Sequence, residues 1–386
     1  LITIEVPDEK PRLIDADPAV PRGRFSPDPM EREVHVVRGR VGARHEEERP
    51  FMISTGKSNA GGISGGRKRG WMVAAALAVL SLSGCETAQM NPESSKLVRT
   101  LPIADLHLHP DPGISPSEIK DRMDRSGVRW AGSGAKRGGR AAWVDYARVL
   151  GGRLIAFGGQ AELNRVYRTG GVSALEDAEN PAFRDLLRRT EEDLRAGRIK
   201  GIGEIFVNNR RSSSNPGLRR KIRADAPAIR RFYALASGYG AFITIHMEPD
   251  ADSAAQLERL LASDRRGRVL WNHCGSNSAA SDVRPLLARN PNLFCELSFR
   301  YPPVLRNRLV ERFPVKLIFD SAGPAAAWRR LIEDFPDRFM IGTDAHSREE
   351  YEGAIRMVRA GLLPYLRPET ARGVAYRNAQ RLFGLR

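Results

Sequence analysis

From Leu101 onward the chain alternates short apolar runs with longer stretches in which apolar positions recur every three to four residues. The first pattern is that of strands buried on both faces and the second that of amphipathic helices, so their alternation predicts a parallel sheet with crossover helices. Strands are expected at Ile103–His109, Val128–Gly132, Arg153–Gly159, Gly201–Val207, Ala241–Met247, Val269–His273, Leu293–Ser298 and Phe339–Thr343. A helix is expected from Pro181 to Ala196, where Phe183, Leu186, Leu187 and Leu194 share one face while Arg188, Glu191 and Glu192 occupy others. A ninth run, Lys316–Phe319, precedes an expected helix at Ala325–Asp334 and reads as an insertion before the last strand. Eight β/α units over residues 101–386 fit a single α/β TIM (β/α)8 barrel better than an open doubly wound sheet, whose glycine fingerprint is absent from the first strand-to-helix turn.

Upstream the pattern changes. Residues 1–51 are rich in Pro, Arg and Glu without sustained hydrophobic periodicity, so an unstructured or over-extended start is expected, with Met52 the more natural initiator. The apolar stretch Trp71–Ser83 follows the basic cluster Arg67, Lys68 and Arg69. It is too short to span a bilayer and has the layout of a secretory signal, expected over residues 52–84. It ends in Leu82, Ser83, Gly84 and Cys85, which resembles the lipobox of bacterial lipoproteins. That resemblance implies cleavage before Cys85, lipidation of Cys85, a linker over residues 85–100, and a protein membrane-anchored at the cell envelope facing the periplasm. Glu86, where an Asp would signal inner-membrane retention, favours the outer membrane.

Composition narrows the class. Hydrophobic residues at 41% and charged residues at 28% of 386 exclude a disordered, collagen-like or polytopic membrane chain. Of the formal charge of +16, residues 86–386 carry +14. Such a field favours anionic substrates or surfaces, nucleic acid and lipid headgroups included, although solvated arginine-rich helix faces give the same balance. Three cysteines allow one bridge at most. Cys274 alternates with the inward His273, so it and Cys295 are expected to point into the layer between barrel and helices as free buried thiols.

Barrel enzymes carry their chemistry at the C-terminal ends of strands. Those ends hold His107 and His109 in Asp-Leu-His-Leu-His, Glu204 in Gly-Ile-Gly-Glu-Ile, His246 in Thr-Ile-His-Met-Glu, His273 in Trp-Asn-His-Cys-Gly and Asp344 in Ile-Gly-Thr-Asp-Ala-His. Four of the seven histidines therefore sit at strand ends. Side chains two apart on a strand face the same way, so His107 and His109 can serve one metal ion. Imidazole nitrogens with carboxylate oxygens and no cysteine suit a catalytic divalent transition metal, zinc above all, with Fe, Mn or Co as substitutes. Polar residues just beyond the strands are candidate substrate contacts: Lys136, Arg137 and Arg140, then Asn208, Asn209 and Arg210, then Glu248 and Arg300. Of these, Arg137, Asn208 and Arg300 are the ones expected to touch substrate. His346, two beyond Asp344, is a candidate for supporting the site or for starting the next helix.

The order His-x-His, Glu, His, His, Asp on a barrel resembles the metal-dependent amidohydrolase superfamily. The likeness covers Leu101–Arg386 and includes the tail Arg377–Leu385, similar to a closing helix common in that superfamily. It implies that His107, His109 and Asp344 hold one metal, that His246 and His273 hold a second, and that Glu204 bridges them. In mononuclear members His246 would instead join the first metal and His273 would polarise the substrate. Asp344 and His273 are the implied catalytic residues, Asp344 taking a proton from a metal-acidified water. The resemblance favours the amidohydrolase-related branch over TatD-type nucleases, because Ile205, Phe206 and Val207 replace the Leu-Asp-Tyr usual after Glu in the latter. The expected function is hydrolysis of an amide, ester or lactone bond in a small substrate. A TatD-type nuclease or phosphodiesterase, a decarboxylase of the same superfamily and a non-catalytic binding lipoprotein are the alternatives, and the oligomeric state is left open.

Overall fold

The computed structural model describes residues 89–109, 115–134, 139–209, 219–302 and 316–386. Cys85, the expected signal segment, Lys136, Arg137 and Arg210 lie outside the described residues. Within the stretch expected as a linker, Pro92–Leu97 forms a short helix whose Asn91 cap accepts from Glu93 N and Ser94 N, and the Ser94 hydroxyl donates to Leu366 O. Among the described residues, no helix is long and apolar enough to cross a membrane.

Seven parallel strands follow in sequence: β1 (Ile103–Leu108), β2 (Val128–Gly134), β3 (Leu154–Gly159), β4 (Gly201–Phe206), β5 (Phe242–His246), β6 (Arg268–Trp271) and β7 (Leu293–Glu296). The run near Lys316–Phe319 becomes a two-stranded antiparallel hairpin, β8 (Phe319–Asp320) with β9 (Gly323–Pro324). The eighth barrel strand, β10 (Phe339–Met340), pairs with β7, giving the order β1-β2-β3-β4-β5-β6-β7-β10. Isolated parallel bridges Asp105↔Ile341 and Leu108↔Ala345 bring β10's continuation back to β1 and close the barrel.

Two apolar layers result. Between sheet and helices pack Ile103, Leu108, Ile202, Ile205, Val269 and Trp271 with the helices' inward faces. Inside the barrel lie Leu106, Trp130, Phe157, Phe242, Phe294 and Met340. The closing helical segment Asn378–Phe383 seals this interior from below, Phe383 lying 4.7 Å from the Phe242 ring and 5.9 Å from Phe157.

Register irregularities re-aim two strands at their upper ends. In β1 the pairing with β2 shifts between Asp105 and Leu108, so Ala104 and Leu106 face the barrel interior and His107 and His109 face its mouth. In β4 it shifts between Ile202 and Ile205, three apart yet both in the outer layer, and Glu204 turns inward between them. An extra residue of this kind flips the alternation locally. Gly203 makes the second shift possible: its φ is +139°, and a side chain there would overlap Thr244 Oγ1 and approach Thr244 O at 2.6 Å.

Candidate metal centre

All six strand-end residues converge at the barrel mouth, buried except for the partial exposure of Asp344. They form two groups. His107 Nε2 lies 3.1 Å from His109 Nε2, and Asp344 Oδ1 lies 3.4 Å and 3.0 Å from the two. His246 Nδ1 lies 3.1 Å from His273 Nε2. Glu204 stands between the groups and turns one oxygen to each. Its Oε2 is 3.7 Å from His107 Nε2 and 3.6 Å from His109 Nε2, while its Oε1 is 3.0 Å from His246 Nδ1 and 3.4 Å from His273 Nε2.

The donor set fits a divalent ion in each group. Metal–ligand bonds of about 2.0–2.1 Å in tetrahedral array place neighbouring donors about 3.3 Å apart. The contacts of 3.0 to 3.7 Å around His107 and His109 bracket that spacing, and every donor is an imidazole nitrogen or carboxylate oxygen.

Backbone conformation contributes. His273 (φ +55°) and Asp344 (φ +51°) both occupy the left-handed region, which costs a non-glycine residue on the order of 1–2 kcal/mol. Asp344 N and Thr343 N donate to His107 O, and Asp105, buried beneath, accepts from His107 N, Thr343 N and the Thr343 hydroxyl. Burial raises the Asp105 carboxyl to about 7 against these hydrogen bonds. Burial also disfavours charge on His107, yet Glu204, Asp344 and Glu296 outweigh it and hold the imidazolium form well above the usual range. Glu204 is held well below the ordinary carboxylate range, because His107, His246 and His273 overcome its burial.

Several residues at the site escape the sequence pattern. Glu296, fully buried at the end of β7, lies 2.8 Å from His107 Nδ1. Its signal, a carboxylate closing an apolar strand, is the one Glu204 gives. Asn272 and Gln160 donate to Glu204 Oε1 and Oε2. Arg220, buried against the rings of Tyr167 and Phe206, donates to Asn164, and Phe206 in turn stacks on His246 at 4.8 Å.

The expected substrate contacts are placed differently. Arg300 is fully buried and gives its donors to Lys316 O, His273 O, Cys274 O and Ser278, so it pins the loops beneath the mouth instead of reaching a ligand. Burial lowers its guanidinium to about 9. The Asn208 amide donates to Gln256. Arg140 pairs with Asp193, and Glu248 is buried. His346 stacks its ring on His109 at 4.7 Å and precedes the Ser347 cap of helix Arg348–Met357.

The expectation of two free thiols is corrected. Cys274 and Cys295 do lie in the outer layer, but as a disulfide, with Cα atoms 4.8 Å apart. They belong to the ends of adjacent parallel strands, where Trp271 pairs with Cys295 and the β6 strand turns immediately afterwards, bringing Cys274 back over its neighbour.

A family model described as Amidohydrolase matches residues 160–385, more than half of the chain. No curated protein matches it. Similar solved structures include an uncharacterised TIM-barrel protein from Bordetella bronchiseptica (15% identity, 74% of this chain and 99% of that one, TM-score 0.49). A probable 2-pyrone-4,6-dicarboxylic acid hydrolase from Acinetobacter baumannii is 14% identical over 73% and 99% of the two chains, with a TM-score of 0.47. A 2,6-dihydroxybenzoate decarboxylase from Rhizobium is 13% identical over 69% and 87%, with a TM-score of 0.39. At these identities and TM-scores the likenesses leave the reaction open.

Proposed function

The chain belongs to the amidohydrolase family, and on that premise we propose that it is a metal-dependent hydrolase of small, anionic substrates bearing an amide, ester or lactone bond. The observation that carries the reading is the position of Glu204, with one oxygen turned to His107 and His109 and the other to His246 and His273. His107, His109 and Asp344 would hold one ion, His246 and His273 another, and Glu204 would join both; zinc suits the donors best. When bound, such an ion polarises an electrophilic oxygen and brings the pKa of water from 15.7 to about 7.

The chain's own residues supply the rest. Asp344 has the most open side chain of the six at 15%, so it is the carboxylate able to take a proton from the attacking water and pass it to the leaving group. His346 Nε2 lies 3.6 Å from Asp344 Oδ1. Phe299, exposed and 6.3 Å from the His273 ring, offers an apolar wall to the part of the substrate that does not react.

The test is metal analysis of the purified full chain followed by a screen of esters, lactones, amides and phosphoesters. One or two equivalents of transition metal and metal-dependent release of a hydrolysis product are expected. Absence of metal after metal-replete growth overturns the reading, release of CO2 alone replaces it with a decarboxylase, and cleavage of phosphodiesters alone with a nuclease. We further infer that Cys85 carries lipid and anchors the chain at the bacterial envelope. The lipobox supports this, and so does a disulfide, which needs an oxidising compartment. Cys85→Ser is expected to leave the membrane fraction and to lose palmitate labelling; labelling that persists overturns the assignment.

A further inference from the structure

Glu296 has no role in the reading above, yet it is fully buried and, among the described residues, has no Lys or Arg ion pair. An ionised carboxylate taken from water without such a partner costs several kcal/mol unless hydrogen bonds replace the solvent. Here four groups do so: His107 Nδ1 at 2.8 Å, the Ser298 hydroxyl at 3.0 Å, the His273 amide at 3.4 Å and the Ser298 amide. The barrel makes room for it on the far side, because a side chain on Gly342 would overlap Glu296 Oε1 and meet His107 Cβ at 2.8 Å.

The hydrogen bonds have a direction. Glu296 can only accept, so His107 carries a proton on Nδ1, and Nε2 is left as the ring atom that faces His109, Asp344 and Glu204 and that an ion would take. The Ser298 hydroxyl has one proton, and it is given to Glu296 Oε2. Its oxygen is then free to accept from His273 Nδ1 at 2.8 Å. That fixes the His273 proton on Nδ1 as well and turns Nε2 toward His246 and Glu204. Glu296 meets His107 at Nδ1, on the ring edge opposite Asp344, so it stands outside the group formed by His107, His109 and Asp344.

We infer that Glu296 is a positioning residue that sets the tautomer of one histidine in each metal-binding group, His107 directly and His273 through the Ser298 hydroxyl. The inference rests on the metal-dependent reading, because an ion in place of the Nε2 proton is what makes Nδ1–H the neutral tautomer; the Nδ1 protons themselves follow from the hydrogen bonds to Glu296 and Ser298. Partners of this kind change metal affinity by about 10- to 100-fold when removed.

The experiment compares wild type, Glu296→Gln and Ser298→Ala as full chains. Zinc affinity is measured by chelator competition, histidine tautomers by 15N NMR, and folding by melting temperature. Glu296→Gln is expected to lose zinc affinity by about 10- to 100-fold. Ser298→Ala is expected to release His273 from the Nδ1–H form while His107 keeps it, with a smaller loss of zinc. Unchanged tautomers together with unchanged zinc affinity in variants that melt like wild type overturn the inference. A lower melting temperature as the sole change leaves Glu296 merely structural and overturns it too. If Glu296→Gln does not fold, the His273 tautomer in Ser298→Ala decides alone. A wild type that holds no zinc overturns the hydrolase reading, and the Nδ1 protons of His107 and His273, kept in wild type and lost from His273 in Ser298→Ala, still decide the relay.

Discussion

Glu204 is the residue on which the two halves of the site depend, and its replacement separates the two possible stoichiometries. With an oxygen facing each group, Glu204→Gln is expected to lose at least one equivalent of metal and most of the activity. His273→Ala is expected to empty the second group and spare the first, because His273 Nε2 faces His246 and Glu204 while His107, His109 and Asp344 keep one another's company. Metal content of the two variants beside wild type checks both statements; a Glu204→Gln protein with full metal and full activity removes Glu204 from the site. At this scale the sequence was legible where chemistry and strand position coincide. His107, His109, Glu204, His246, His273 and Asp344 each lie in the upper part of a barrel strand or within four residues of its end, so topology alone gathers them. Arg300 misled for the opposite reason: its partners are main-chain carbonyls of another loop, which leave no mark on residue type.

Elements were legible to within a few residues, and the misses fall where strands stop behaving as strands. The eighth was expected to run to Thr343 but pairs with β7 only through Phe339 and Met340, since Ile341 already turns to bridge Asp105. The sixth ends at Trp271, two residues before His273, because positive φ at His273 and Cys274 ends the extended run. Between elements, Asp225 ties helix Pro227–Gly238 to helix Ala251–Ser263. It accepts from Arg223, Arg230 and Arg259 while being itself buried. Burial opposes its charge, but the guanidinium groups prevail and hold its carboxyl below the ordinary value. A carboxyl depressed by folding contributes stability above its unfolded value of about 3.9 and loses it as pH falls through the folded value. Asp225→Asn is therefore expected to cost about 1–2 kcal/mol near neutrality, the half-exposed arginines limiting the loss. It should also melt with a flatter pH dependence than wild type below about pH 4; parallel melting curves from pH 7 to pH 2.5 would contradict this.

Over the whole molecule, the two ends of the barrel divide the work. The upper end carries the buried donors, and the lower is closed by apolar contact of the final helix. Phe383→Ala removes a ring packed on Phe157 and Phe242 and is expected to cost about 3–4 kcal/mol. Metal content should remain that of wild type, because Phe383 packs among apolar side chains of the barrel interior. A variant that melts like wild type, or one that loses metal while still folded, contradicts this division. The barrel itself was legible from the count and spacing of apolar runs, and the closing tail from its resemblance.

The Cys274–Cys295 bridge gives the protein a dependence on its folding history. Both residues are completely buried. Thiol–disulfide exchange requires an attacking sulfur to reach its target, so the bond has to close before the helices pack over it. A chain that folds with both thiols reduced then keeps them, whatever oxidant is supplied later. Alkylation after denaturation should find two additional thiols in protein folded under reducing conditions and then exposed to air, and none in protein folded with an oxidant present. Because Cys274 adjoins His273 and Cys295 adjoins Glu296, two preparations of identical sequence and mass, apart from two hydrogens, would differ at the metal centre according to when oxidation took place.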